Sequence, residues 1–167
     1  MSQRTNKHFI ELLDRFDHAM LVTKRGPALR SRPMAIAGHT DDGRIRFITR
    51  DDSAKLEELE EDDHVNVAMQ DNERFLSISG HARLTKDRAL IEKIWQERQT
   101  VWFSEGRRDP HAIVLEVVPT YAEYWDRTDF TVLDLIEEKA REGAGGEAGK
   151  KVESDSHGTV DFRGQPL

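Results

Sequence analysis

The stretch LRSRPMAIAGHTDDGRIRFITRDDSAK, Leu29 to Lys55, decides how this chain is read. It reads as strand, tight turn, strand and helix start. Period-two geometry puts Arg30, Arg32, Met34 and Ile36 on one face of the first strand, and Leu29, Ser31, Pro33, Ala35 and Ala37 on the other. Pro33 cannot donate to a ladder, so an edge or a bulge is expected there. Thr40-Asp41-Asp42-Gly43 is a hairpin turn, with Asp-Gly supplying the positive φ. Arg44 to Thr49 is the next strand, with Ile45, Phe47 and Thr49 on one face. Ser53 to Glu61 is a short helix whose acidic C-terminal end opposes the macrodipole, so packing through Leu56 and Leu59 must hold it.

The flanking sequence extends the pattern in both directions. Arg4 to Phe16 has helical spacing, with Phe9, Leu12, Leu13 and Phe16 on one face. Ala19 to Thr23 is a short strand ended by the Gly26-Pro27 turn. Beyond the central stretch, His64 to Gln70 alternates, with Val65, Val67 and Met69 facing inward. Phe75 to Thr85 alternates again, and Gly80 marks a bulge or a close backbone approach. An amphipathic helix is expected from Asp87 to about Gln99, then an aromatic loop from Val101 to Gly106. His111 to Val118 reads as a strand that Pro119 breaks, with another strand from Thr120 to Asp126. Phe130 to Arg141 reads as a helix. From Gly143 onward the chain is Gly-rich and polar, which predicts a flexible tail over 143–167 behind a domain over 1–142. Short strands with helices between them suggest an α+β domain on an antiparallel sheet or barrel.

Composition narrows the function classes. The chain has 167 residues, enough for one domain with a real core. It contains no cysteine, which excludes disulfides, thiolate zinc sites and a cysteine nucleophile. No apolar run approaches a membrane span, and the N-terminus lacks a signal-peptide core, so a cytoplasmic protein without membrane contact is expected. The formal net charge is −7, yet Lys24 to Arg50 holds seven basic residues against two acidic ones. A small cationic region in an acidic chain favours a compact anion over a nucleic acid.

Thr49-Arg50-Asp51-Asp52-Ser53-Ala54-Lys55 joins a strand end to a helix start. Free backbone N–H groups, short hydroxyls and the positive helix end suit phosphate there, and Lys55 adds a point charge. The same residues also fit a plain Ser53 N-cap with Lys55 in solvent. Asp51 and Asp52 oppose an anion unless both point away. Arg32 could fork onto a phosphate or a ring carbonyl; equally, Arg32 and Pro33 could guard an edge strand. The seven histidines show no paired spacing for a metal, so no metal is expected. No nucleophile elbow or dinucleotide fingerprint is present. The acidic run from Glu57 to Asp63 reads as a solvated helix end.

Arg32-Pro33-Met34, the hairpin, and then Phe47-x-Thr49-x-x-x-Ser53-x-Lys55-x-x-x-Leu59 together resemble the FMN-binding split β-barrels related to pyridoxamine 5′-phosphate oxidase, in their general stress protein branch. Further matches are Ser77 to Ala82, Trp102 to Gly106 and Ala122 to Trp125, in order, across roughly residues 5 to 140. The resemblance implies a six-stranded antiparallel split β-barrel with flanking helices, working as a homodimer with flavin sites at the subunit interface. Carried across by position, Arg32, Pro33 and Met34 would line the flavin, and Thr49, Ser53 and Lys55 would hold its phosphate. Trp102 of the second copy would rim the ring pocket, although Trp102 and Phe103 also fit simple packing.

One departure matters. The vitamin oxidase is expected to carry a C-terminal arginine–histidine–arginine cluster, and here Trp125 is followed by Asp126-Arg127-Thr128-Asp129-Phe130. Oxidation of the vitamin phosphate is therefore not expected. The resemblance implies an FMN-dependent oxidoreductase with NADH or NADPH as electron donor and FMN as cofactor, with FAD or another flavin open as the ring. A non-enzymatic flavin carrier or stress-response protein needs the same groups, and the residues leave that reading open, as they do an interaction domain with a basic hairpin. Catalytic residues are not assigned.

Overall fold

Six antiparallel strands pair in a ladder that curls until its ends meet. The computed structural model describes residues 3–126 and 157–163. The order is α1 (Gln3–Leu13), β1 (His18–Arg25), β2 (Ala28–His39), β3 (Ile45–Arg50), α2 (Ala54–Glu61), β4 (His64–Gln70), β5 (Arg74–Thr85), α3 (Arg88–Ile94), β6 (Ala112–Asp126) and β7 (His157–Asp161). Neighbours run β3-β2-β1-β4-β5-β6, and β3 pairs with β6 to close the ring. β7 lies on the other side of β6, from Tyr121↔Asp161 to Trp125↔His157. The expected six-stranded antiparallel split β-barrel with flanking helices is thus the observed fold, with β7 as an extra strand.

The barrel interior is the main core. Leu21, Ile45, Phe47, Val67, Leu76, Ile78, Leu115 and Val117 fill it, and Phe9, Leu12 and Leu13 of α1 pack into the same cluster. A smaller core lies outside the barrel wall, where Ile91 of α3 and Phe103 cover Ala37, Ile48, Ala112 and Val114. β3 and β6 therefore bury side chains on both faces, which the period-two reading of a half-buried strand does not anticipate. No described helix is long and apolar enough to cross a membrane.

Two irregularities shape the barrel. β2 pairs with β3 only from Ile36 to His39, with a register shift between Ile36 and Gly38. Its first part, including Pro33, pairs with β1 alone, so Pro33 does sit where one side of the strand is open. Outside the strand, Arg98 donates to the Ile36 carbonyl and Gln96 to the Ala37 carbonyl, satisfying acceptors at the bulge. The second irregularity lies between Ser79 and Gly80 of β5. A Cβ on Gly80 would stand 2.2 Å from the Val118 carbonyl oxygen, so the backbones meet where only glycine fits.

Three expectations are corrected. Pro119 does not split the chain: β6 runs unbroken from Ala112 to Asp126 because Pro119 faces the β5 bulge at Gly80, where ladder pairing is already interrupted. The helix expected to Gln99 ends at Ile94; a 3₁₀ segment, Glu97–Trp102, follows, closed by reciprocal Gln96 and Gln99 capping bonds. The stretch after Gly143 is not uniformly loose, since His157–Asp161 is β7. Val160 is fully buried there, and Phe162 meets Phe9 edge-on at 5.9 Å. A few well-spaced apolar residues in a polar stretch suffice for one edge strand. The helix expected over 130–141 lies outside the described residues.

Candidate functional site

The open side of β2 faces the start of α2, and a groove of about 510 Å³ lies between them. Arg30, Ser31 and Arg32 line one wall, and Ser53, Ala54, Lys55 and Glu58 the other. Sequence local to the second wall explains its shape. Thr49 is the last residue but one of β3, a tight turn links Arg50 to Ser53 through the Ser53 N–H and the Arg50 carbonyl, and α2 starts at Ala54. Lys55 falls in the first helical turn, and Glu58 three residues on shares its face.

Lys55 Nζ donates to Thr49 Oγ1 and to Ser53 Oγ, each at 2.8 Å. Both hydroxyl oxygens act as acceptors, so each keeps its own proton to donate. Ser53 is the N-cap residue of α2, yet its side chain makes no capping bond. The cap reading of Ser53 therefore gives way to a hydroxyl turned toward Lys55. Burial, then the nearby Arg32 charge, push Lys55 below its ordinary range, with Glu58 and Asp52 opposing. The opposite charge of an anion in the groove would offset both effects.

Glu58 is the residue that sequence reasoning missed. It belongs to an acidic run read as a solvated helix end, but it is only 2% exposed. Its carboxylate accepts from Thr23, from Arg32 at 2.6 Å and from Arg30 at 3.1 Å. Arg32 also donates to Thr23 at 2.7 Å. Burial raises the Glu58 pKa, but the Thr23 and Arg32 hydrogen bonds and the Arg32 charge outweigh it and keep the group below its usual range. Thr23, Arg30 and Arg32 alternate on one β-hairpin face, the sole sequence signal for a buried acid opposite them.

Most of the remaining cations of the stretch are paired off. Arg44 and Arg46 both reach Glu116, and Arg44 also meets Asp42. Arg50 forks onto Asp52. Asp51 is held by Lys86 at 2.6 Å and His111 at 2.8 Å, which lower its pKa to about 2. Both aspartates of the turn are therefore engaged with other cations, and the cations lining the groove are Lys55 and the two arginines that share Glu58, Arg30 and Arg32.

The sequence-derived site residues separate into groups. Thr49, Ser53 and Lys55 come together, and Arg32 lines the same groove. Met34, on the Arg32 face, packs against the barrel core, and Pro33 is exposed on the opposite face. Trp102 stands apart from the groove and is 69% exposed, next to the exposed Val101, while Phe103 is core. Residues 127–130, where the vitamin oxidase cluster would fall, lie outside the described residues.

Comparison with known proteins agrees with this architecture. The curated Protein bli-3 of Neurospora crassa is 32% identical over 108 residues, covering 58% of this chain, and the chain spans about half (51%) of that protein's length. A structure of a putative general stress protein 26 from Jannaschia sp. CCS1 superposes with a TM-score of 0.68 at 22% identity, over 95% of this chain and 98% of that one. The general stress FMN/FAD binding protein of Xanthomonas citri superposes with a TM-score of 0.67 at 25% identity, over 78% of this chain and 94% of that one. The sequence pattern of the family described as pyridoxamine 5′-phosphate oxidase like matches residues 4–146, so, closed barrel and strand-end turn included, this chain belongs to the pyridoxamine 5′-phosphate oxidase-like family.

Proposed function

We propose that this protein binds FMN in the groove between β2 and α2 and works as a flavin-dependent oxidoreductase with a reduced nicotinamide as electron donor. The observation that carries the reading is the Lys55 ammonium gathering the Thr49 and Ser53 hydroxyls at the start of α2. An ammonium and two hydroxyls that converge where β3 gives way to α2 suit a phosphate dianion. The groups present fit the cofactor: Ser53 has no capping bond to give up, and Lys55 is partly desolvated before any anion arrives.

Lys55, Ser53 and Thr49 would hold the phosphate, and Arg32, fixed by Glu58 and Thr23, would face the remainder of the mononucleotide. Bound flavin supplies the two-electron chemistry, and the chain supplies position and electrostatics. The Xanthomonas citri relative, described as FMN/FAD binding, supports a flavin over other phosphate esters. A second copy of the chain would bring its Trp102 to the ring, which accounts for a large indole left exposed on one chain.

The test is a titration of purified protein with FMN, followed by flavin fluorescence and by the visible spectrum. Saturable binding with reduction by NADH or NADPH is the expected outcome. Saturable binding without reduction by either nucleotide would make the protein a carrier. Failure of FMN, FAD and riboflavin all to bind would remove the flavin reading.

A further inference from the structure

On the outer face of the barrel, at the far end of α2 from Lys55, two histidines meet that the sequence keeps well apart. His64 opens β4 and His81 lies in β5, and they are direct cross-strand partners. Their rings are 4.4 Å apart and tilted at 54°. Both turn a ring nitrogen to the same carboxylate oxygen: Asp63 Oδ1 is 3.0 Å from His81 Nδ1 and 3.6 Å from His64 Nδ1. One donor atom from each of the three residues lies within 4.8 Å of the others. All three side chains are open to solvent, so an ion has a path in.

We propose that Asp63, His64 and His81 form a binding site for a zinc-class divalent transition metal. Donors about 2.0–2.1 Å from a tetrahedral ion stand about 3.3 Å from one another, and the observed 3.0 and 3.6 Å bracket that edge. Two imidazoles and one carboxylate select zinc, copper or nickel over magnesium or calcium, which prefer oxygen donors throughout. Water would complete the tetrahedron.

The frame is already built. The Ala82 N–H donates to the Asp63 carbonyl at 2.8 Å, tying the ligand's backbone to the strand that carries His81. Asp62 accepts from the His64 backbone N–H and from Nδ1 of its ring, and it also receives Lys24. A metal taken by His64 Nδ1 would displace that side-chain bond and leave the Asp62 carboxylate as negative charge beside the site. Its pKa is lowered to about 2, first by the His64 backbone bond and then by Lys24 and the His64 side chain. The Lys24 ammonium is taken up by Asp62 rather than by Asp63. Because a ligating imidazole must be unprotonated, acid should expel the metal.

The experiment is calorimetric titration of the untagged full chain with zinc chloride near neutral pH, repeated on His64→Ala, His81→Ala, their double variant and His157→Ala. One zinc per chain is expected, weakened by at least about tenfold in each single variant at the site and lost in the double. His157→Ala, which removes an exposed histidine paired with Glu123, should bind as the wild type does. Cobalt(II) in place of zinc should give the visible bands of a tetrahedral centre. Zinc binding by the double variant equal to wild type, or equal loss on His157→Ala, would overturn the proposal. Because all the exchanged histidines are solvent-facing, far-UV circular dichroism should report unchanged folding in every variant.

Discussion

At the scale of single residues, the molecule depends on a few polar groups with more partners than their surroundings suggest. Lys55 is the clearest case: it orders two hydroxyls and is desolvated while doing so. Ser53→Ala combined with Lys55→Ala should weaken FMN binding by several kcal/mol at most, since each charge-assisted hydrogen bond is worth roughly 1.5–3 kcal/mol. Riboflavin, which lacks the phosphate, should lose far less, and parallel fluorescence titrations separate the two. Equal losses for both ligands would move the phosphate elsewhere. Glu58 plays a structural part opposite. Glu58→Ala leaves Thr23 and Arg32 without their shared acceptor and should cost about 1–3 kcal/mol in urea unfolding. Arg32 is partly solvated, which keeps the figure below that of a fully buried ion pair. A stability unchanged within error would mean that water replaces the carboxylate without penalty.

Among the elements, β6 is the hinge of the construction. It pairs with β3 and β5 through its first half and with β5 and β7 through its second. The changeover falls at the Gly80 bulge, where Pro119 and Thr120 sit. Gly80→Ala should lower stability by about 1–3 kcal/mol, read as a shift in the urea midpoint, because the new methyl meets backbone rather than a movable side chain. A midpoint equal to wild type would show that β6 yields freely at Thr120. β7 offers a second test. Phe162→Ala removes the edge contact to Phe9 and should cost about 3 kcal/mol or more if β7 is a full part of the barrel fold. Loss of less than about 1 kcal/mol would mark β7 as an accessory strand.

For the whole molecule, pH dependence follows from the acids whose pKa the fold lowers. Asp51, Asp62 and Asp161 fall from the ordinary 3.8 to about 2. A carboxyl depressed on folding binds fewer protons folded than unfolded, so its stabilisation is full above 3.8 and disappears as pH falls toward 2. Thermal melts from pH 5 downward should therefore show a falling midpoint, steepest between about pH 4 and 2. Asp51→Asn should flatten that slope and loosen the turn beside Ser53, because Lys86 and His111 lose their charged partner. A slope as steep as wild type would show that other carboxylates carry the effect.

How much of this was legible beforehand depended on how local the cause was. The bounds of β4, the Asp-Gly turn at Gly43 and the Gly80 irregularity follow from alternation and backbone freedom within a few residues, and they appear where the sequence places them. Thr49, Ser53 and Lys55 are close because a strand end, a tight turn and a first helical turn fix their spacing, so local chemistry brought them together. Long-range register decided everything else. It placed Glu58 under Arg32, paired Arg44 and Arg46 with Glu116, carried β6 through Pro119, recruited β7 from a polar stretch and set His64 against His81. The sequence by itself determined most strand positions and the strand–turn–helix spacing of Thr49, Ser53 and Lys55, since each is a short-range property of the chain, and it indicated the barrel through family resemblance. Only the tertiary structure decided which charges remain free and which distant side chains meet, because pairing across strands depends on where each strand stops.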